Sequence, residues 1–190
     1  RNFGMAQPEG YRKTARLMKM AEDFDLPLIS FIDTPGAYPG IESEERGMSE
    51  AIAKNLSLLS NLKTPVIVII TGEGGSGGAL AIGVGDHICM LEHSIYAVAS
   101  PEACASIVWR DGSKAKDAAE AMKVDASSLQ NLGLVDQVIK EPLGGAHRDL
   151  RGVSNSISQV IEEKLLTFDE IDISDLLDKR YEKIMSYGSI

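Results

Sequence analysis

The chain has 190 residues, 44% hydrophobic and 5% aromatic, with a formal net charge of -9. That balance suits one globular α/β-type domain with a sizeable core and excludes intrinsic disorder. The apolar runs are too short to span a bilayer, the acidity speaks against nucleic acid as a partner, and no basic leader with a small-residue cleavage site opens the chain. No membrane association is expected, and the expected location is the cytoplasm or an organellar stroma. Arg1 stands where an initiator Met would, so a further segment upstream is expected. Cys89 and Cys104 form no C-x-x-C pair and have no His at ligand spacing, so they are expected to be reduced thiols, with no metal site.

Behind Pro8, residues Tyr11, Ala15, Met18 and Ala21 recur at helical spacing, which predicts a helix over 9–24 that Pro27 closes. The apolar run 28–32 reads as a buried strand ending in the turn Asp33-Thr34-Pro35-Gly36. Met48, Ile52, Leu56, Leu59 and Leu62 share one helical face, and after Pro65 the β-branched run 66–70 reads as a second buried strand. Glycine then dominates 72–78, with a short helix expected from Ala79. Further on, 87–91 and 94–99 are predicted strands, and Pro101 opens a helix at its first position. Helices over 113–122 and 126–132, a strand over 135–139, and two helices in the last forty or so residues complete the pattern. Alternating strands and helices imply parallel sheet. One domain is expected, with an α/β part over 1–148 and a helical extension over 149–190.

The segment Gly72-Glu73-Gly74-Gly75-Ser76-Gly77-Gly78-Ala79 admits four readings. It satisfies G-x-G-x-x-G with Glu92 about twenty residues on, but too little helix follows for a dinucleotide crossover. A phosphate loop needs a lysine, and none lies between Lys63 and Lys114. Gly74-Gly75-Ser76-Gly77-Gly78 contains G-x-S-x-G, and Asp136 and His147 follow in the order of a serine hydrolase, which keeps a hydrolase using Ser76 open. The fourth reading is an oxyanion hole of backbone amides: glycine amides at a helix start, with a second amide from the neighbouring Pro35-Gly36-Ala37 turn.

The stretches Arg1-Asn2-Phe3-Gly4-Met5, Pro8-Glu9-Gly10-Tyr11-Arg12-Lys13, 31–40 (Phe-Ile-Asp-Thr-Pro-Gly-Ala-Tyr-Pro-Gly), Glu44-Glu45-Arg46-Gly47, 72–86, Ser100-Pro101-Glu102, 141–148 and Met185-Ser186-Tyr187-Gly188 together resemble the carboxyltransferase α subunits of multisubunit acetyl-CoA carboxylases. The resemblance spans essentially the whole chain. It implies the crotonase superfamily fold, a spiral of ββα units with trailing helices, and α subunits of this kind have further sequence before the equivalent of Arg1. It implies carboxyl transfer from carboxybiotin, borne by the biotin carboxyl carrier protein, to acetyl-CoA, giving malonyl-CoA in fatty acid biosynthesis. The implied partners are a zinc-ribbon β subunit, in an α2β2 assembly, and the carrier protein, with acetyl-CoA at a site shared between α and β.

On that resemblance, the amides of Gly77, Gly78, Gly36 and Ala37 would hold the charge left on the biotin ureido oxygen, and Gly74, Gly75, Tyr38 and Pro39 would lie on the carboxybiotin side. A non-catalytic module that assembles β and carrier is the alternative of a different class. Bland readings suffice for other polar residues. Glu42, Glu44, Glu45 and Arg46 suit a solvated helix start, Glu102 a helix dipole, Arg12 and Lys13 a polar helix face, and His147 a structured turn.

Overall fold

The computed structural model describes residues 2–188, so Arg1 and the last two residues of the expected helical extension lie outside the described residues. Four strands form a parallel ladder in the order β1 (Leu28–Thr34), β2 (Val66–Gly75), β3 (His87–Leu91) and β5 (Gln137–Ile139). β4 (Ile95–Ala97) pairs with the far half of β2, Glu73 to Gly75, beyond the point where β3 ends. β2 therefore runs first through one ladder and then into a second.

The β2 run Val66, Ile67, Val68, Ile69 and Ile70 is wholly buried, because strand residues alternate between two covered faces. Val66, Val68 and Ile70 pack with Met18, Leu59 and Leu62, whereas Ile67 and Ile69 pack with Cys89, Leu91, Val153 and Val160. Each buried Val or Ile contributes about 1.5–3 kcal/mol, so this one strand anchors both layers. The first layer is α1 (Pro8–Asp23) on α3 (Met48–Asn61), and the second is α8 (Leu150–Asp169). The remaining helices along the chain are α2 (Ile41–Glu45), α4 (Ser76–Leu80), α5 (Pro101–Trp109), α6 (Ala115–Met122) and α7 (Ala126–Asn131). The predicted helix over 113–122 begins instead with a 3-10 turn, Gly112–Lys114, capped by Asp111, so only its latter part is α-helical.

The last helix, α9 (Ile173–Ser186), is tied to the sheet by charge. Arg180, 1% exposed, spends all five of its N–H donors: two on the Asp86 carboxylate at 2.7 Å each and three on the carbonyls of Leu59, Leu62 and Thr64. It thereby satisfies carbonyls at and just beyond the end of α3, where the helical ladder runs out and Leu59 keeps only a long bond from the Leu62 N–H, 3.4 Å. Asp86 in turn accepts the Val66 N–H at 2.7 Å. Lys183 reaches the Asp136 carboxylate beside it. None of the described helices is long and apolar enough to cross a membrane.

Beside this staple, burial holds the His87 imidazole below its ordinary value of 6.5, against the opposing pull of a hydrogen bond to Gln137 and the Asp136 charge. The folded chain then binds fewer protons than the unfolded one just below pH 6.5. Stability from this group is full above that pH and declines as the pH falls towards the lowered folded value. A pH series of thermal melts should show this limb flattened in His87→Gln, and an unchanged slope would contradict it.

Candidate functional site

The glycine segment is not an open turn. β2 continues through Gly74 and Gly75, and α4 starts at Ser76 rather than at Ala79. The glycines serve close approach of backbone to backbone. A Cβ on Gly75 would lie 2.0 Å from the Pro35 carbonyl oxygen, and one on Gly78 would lie 2.3 Å from the Ala37 nitrogen and 2.8 Å from the Tyr11 hydroxyl. Only bare Cα atoms let the Pro35-Gly36-Ala37 turn settle onto the start of α4. The turn is itself set by a register shift between Ile32 and Thr34, where the Asp33 carboxylate accepts the Glu73 N–H at 3.0 Å.

Free donors are concentrated here. α4 has no side-chain cap, so the N–H groups of its first turn have no intrahelical acceptor. Among the described residues the Ala37 N–H has no protein acceptor either. The Gly36 N–H differs from expectation: it is taken by the Thr34 hydroxyl at 3.2 Å, so Gly36 is no free donor. Tyr11 beneath the turn is buried, which pushes its phenol up to about 12, so it stays a neutral hydroxyl.

Two hollows lie beside the start of α4; Gly77 lines one of them, whereas Gly36, Ala37 and Gly78 line neither. One, of about 330 Å³, is lined by Pro35, Gly74, Gly75, Ser76, Val98 and Pro101, among others. The other, of about 230 Å³, has Ser76 and Gly77 at one end and Leu80, Tyr96, Leu129 and Leu134 as apolar wall. Of the expected substrate-side residues, Gly74 and Gly75 line the first. Tyr38 and Pro39 line neither. Tyr38 packs instead with Tyr11, Met48 and Ala51, lying so close over Gly40 that a Cβ there would meet its ring at 2.3 Å.

The hydrolase arrangement is not assembled. Ser76 does occupy a left-handed conformation, φ 53°, at a strand-to-helix turn, as a nucleophile elbow would. Asp136, however, sits at the opposite end of the sheet, where its carboxylate accepts the Ile88 N–H at 2.6 Å and pairs with Lys183. In the ladder Ile88 is level with Val68, and from there to Ser76 is roughly 25 Å of strand. His147 lies in a turn held by Glu141, which accepts the N–H groups of Ala146 and His93. Wild-type chain is accordingly expected to resist fluorophosphonate labelling, and labelling at Ser76 that Ser76→Ala abolishes would restore a nucleophilic role.

The family model for acetyl co-enzyme A carboxylase carboxyltransferase-like proteins matches residues 1–188. The chain belongs to that family. Within it, the acetyl-coenzyme A carboxylase carboxyl transferase subunit alpha of Alcanivorax borkumensis is 58% identical over 190 residues, covering 100% of this chain and 59% of that relative. The protein of the same name from Azotobacter vinelandii is 59% identical over 188 residues, 99% of this chain and 60% of the relative. The chain thus spans about three-fifths of the length of the curated relatives it matches.

Solved structures share the fold of this carboxyltransferase-like chain. A Pseudomonas malonate decarboxylase hetero-dimer superposes with a TM-score of 0.69 at 19% identity, covering 84% of this chain and 68% of that one. Transcarboxylase 12S with methylmalonyl-coenzyme A bound gives 0.67 at 22%, covering 82% and 31%. The fold is the crotonase type, with α8 and α9 as its helical extension. Sequence reasoning missed Thr34 and Tyr11 as parts of the site. Thr34 stands inside the quoted Asp-Thr-Pro-Gly motif and Tyr11 inside Pro-Glu-Gly-Tyr, so the signal was present without a role attached.

Proposed function

We propose that this chain is the carboxybiotin-facing half of an acetyl-CoA carboxylase carboxyltransferase. Carboxybiotin, delivered by the biotin carboxyl carrier protein, supplies the carboxyl group that acetyl-CoA accepts to become malonyl-CoA. The observation that carries the reading is the seating of the Ala37 turn on Gly78 at the uncapped start of α4, beside an apolar hollow. Two amides there, Ala37 with Gly77 or Gly78, suit the negative charge that develops on a ureido oxygen. Donors already fixed in place stabilise such charge without reorganising. The apolar wall of Leu80, Tyr96, Leu129 and Leu134 suits a fused ring with a polar rim.

A β subunit would complete the site and position the thioester, in an α2β2 assembly. Val98 supports a shared site, since it lines the first hollow yet is 80% exposed. Residues 1–148 and the helical part over 149–190 act in this reading as one carboxyltransferase domain, because α8 and Arg180 are built into the core. The test is to mix the chain with a β subunit, carboxylated carrier and acetyl-CoA. Formation of malonyl-CoA that needs both subunits is expected, whereas assembly without turnover would reduce the chain to an interaction module.

A further inference from the structure

Gly36 has φ +146° and no side chain, so the peptide joining it to Ala37 has little bias of its own towards one orientation. That peptide is planar and trans, with C=O and N–H on opposite sides. Whatever holds the Gly36 carbonyl therefore aims the Ala37 N–H. The group that holds it is the Thr34 hydroxyl. Its Oγ1 lies 2.9 Å from the Gly36 carbonyl oxygen and 2.8 Å from that of Gly4, so its one proton bridges the two carbonyls, and it accepts the Gly36 N–H at 3.2 Å. Thr34 is itself fixed, 8% exposed and paired across the ladder with Gly74.

We infer that Thr34 is a positioning residue for carboxyl transfer: its hydroxyl locks the Gly36–Ala37 peptide and so keeps the Ala37 N–H in place beside Gly78 as an oxyanion donor. The inference rests on the proposed role of the Ala37 amide. Thr34 touches no reacting atom and acts only through Ala37. It also leaves Ala37 as the turn's free donor, since the same hydroxyl occupies the Gly36 N–H.

Thr34→Val keeps the branched shape and removes the hydroxyl, and Thr34→Ser keeps the hydroxyl. Two readouts decide: the 15N–1H resonance and hydrogen exchange of the Ala37 amide in the labelled chain, and biotin-dependent malonyl-CoA decarboxylation after assembly with a β subunit. In Thr34→Val the Ala37 resonance should move and its exchange rate should change by about tenfold or more. There kcat should fall about 10- to 100-fold with KM for biotin nearly unchanged, and Thr34→Ser should restore both. A purely structural role would instead lower the melting temperature and leave the kcat-to-KM split absent. An unmoved Ala37 resonance, an unchanged kcat, or a folded Thr34→Ser that fails to rescue would each overturn the inference. If the wild-type assembly shows no biotin-dependent turnover, the proposed function falls, and the Ala37 resonance still reports whether Thr34 holds the peptide.

Discussion

Gly78→Ala should cost the assembled enzyme about a hundred- to a thousandfold in kcat, whereas Gly77→Ala should stay within about threefold of wild type. The contrast follows from what each new methyl group meets. At Gly78 it would lie 2.3 Å from the Ala37 nitrogen and 2.4 Å from the Gly36 carbonyl carbon, both backbone atoms that can move only by displacing the turn. At Gly77 the nearest atom is the tip of Ile52, at 3.7 Å, an ordinary contact. Neither change removes an N–H. The effect at Gly78 therefore isolates the geometry of the pair of amides from their number. The check is malonyl-CoA decarboxylation with biotin, run on assemblies whose composition is shown to be normal. Equal activity of the two variants would separate the Gly78 contact from catalysis.

The second large effect concerns folding. Arg180→Met leaves the Asp86 carboxylate buried without its cation and frees the carbonyls of Leu59, Leu62 and Thr64. Breaking a buried pair in this way costs about 3–5 kcal/mol, and for a chain of this size that lowers the melting temperature by about 10–15 °C. Adding Asp86→Asn should return part of the loss, because the stranded charge is then gone, although the Val66 N–H still needs the remaining oxygen. A melting temperature within about 2 °C of wild type for Arg180→Met would mean that α9 is not held by this pair.

Local signals in the chain announced the core but not its cross-links. The run 66–70 reads as a buried strand because it is continuous and β-branched, and it is one. Pro8 and Pro101 mark helix starts that the structure keeps, and Ser100 caps the second by accepting the Ala103 N–H. The extension of β2 through Gly75 was hidden, since glycine has low strand propensity. What overrides it is pairing with β4 and the approach of Pro35, both distant in sequence. The contact of Arg180 with Asp86 spans 94 positions and has no local signature.

At the site, the two glycine turns were legible as partners, and Gly78 and Ala37 do lie against each other. The loss of Gly36 as a donor was not legible, because it depends on the rotamer of one threonine hydroxyl. Asp136 and His147 follow Ser76 in an order that suits a triad, but the parallel sheet carries Asp136 and Ser76 to opposite ends. Order along the chain says nothing of which sheet end a residue occupies until the strand pairing is known.

The central claim is that the Ala37 turn and the start of α4 together hold a ureido oxygen. A crystal structure of the chain assembled with a β subunit and soaked with biotin measures this directly. The expected result is the ureido oxygen within hydrogen-bond reach, about 3 Å, of the Ala37 nitrogen and of the Gly77 or Gly78 nitrogen, with the fused ring against Leu80 and Tyr96. A biotin ring bound elsewhere, or seated in the hollow with that oxygen turned away from both amides, would contradict it.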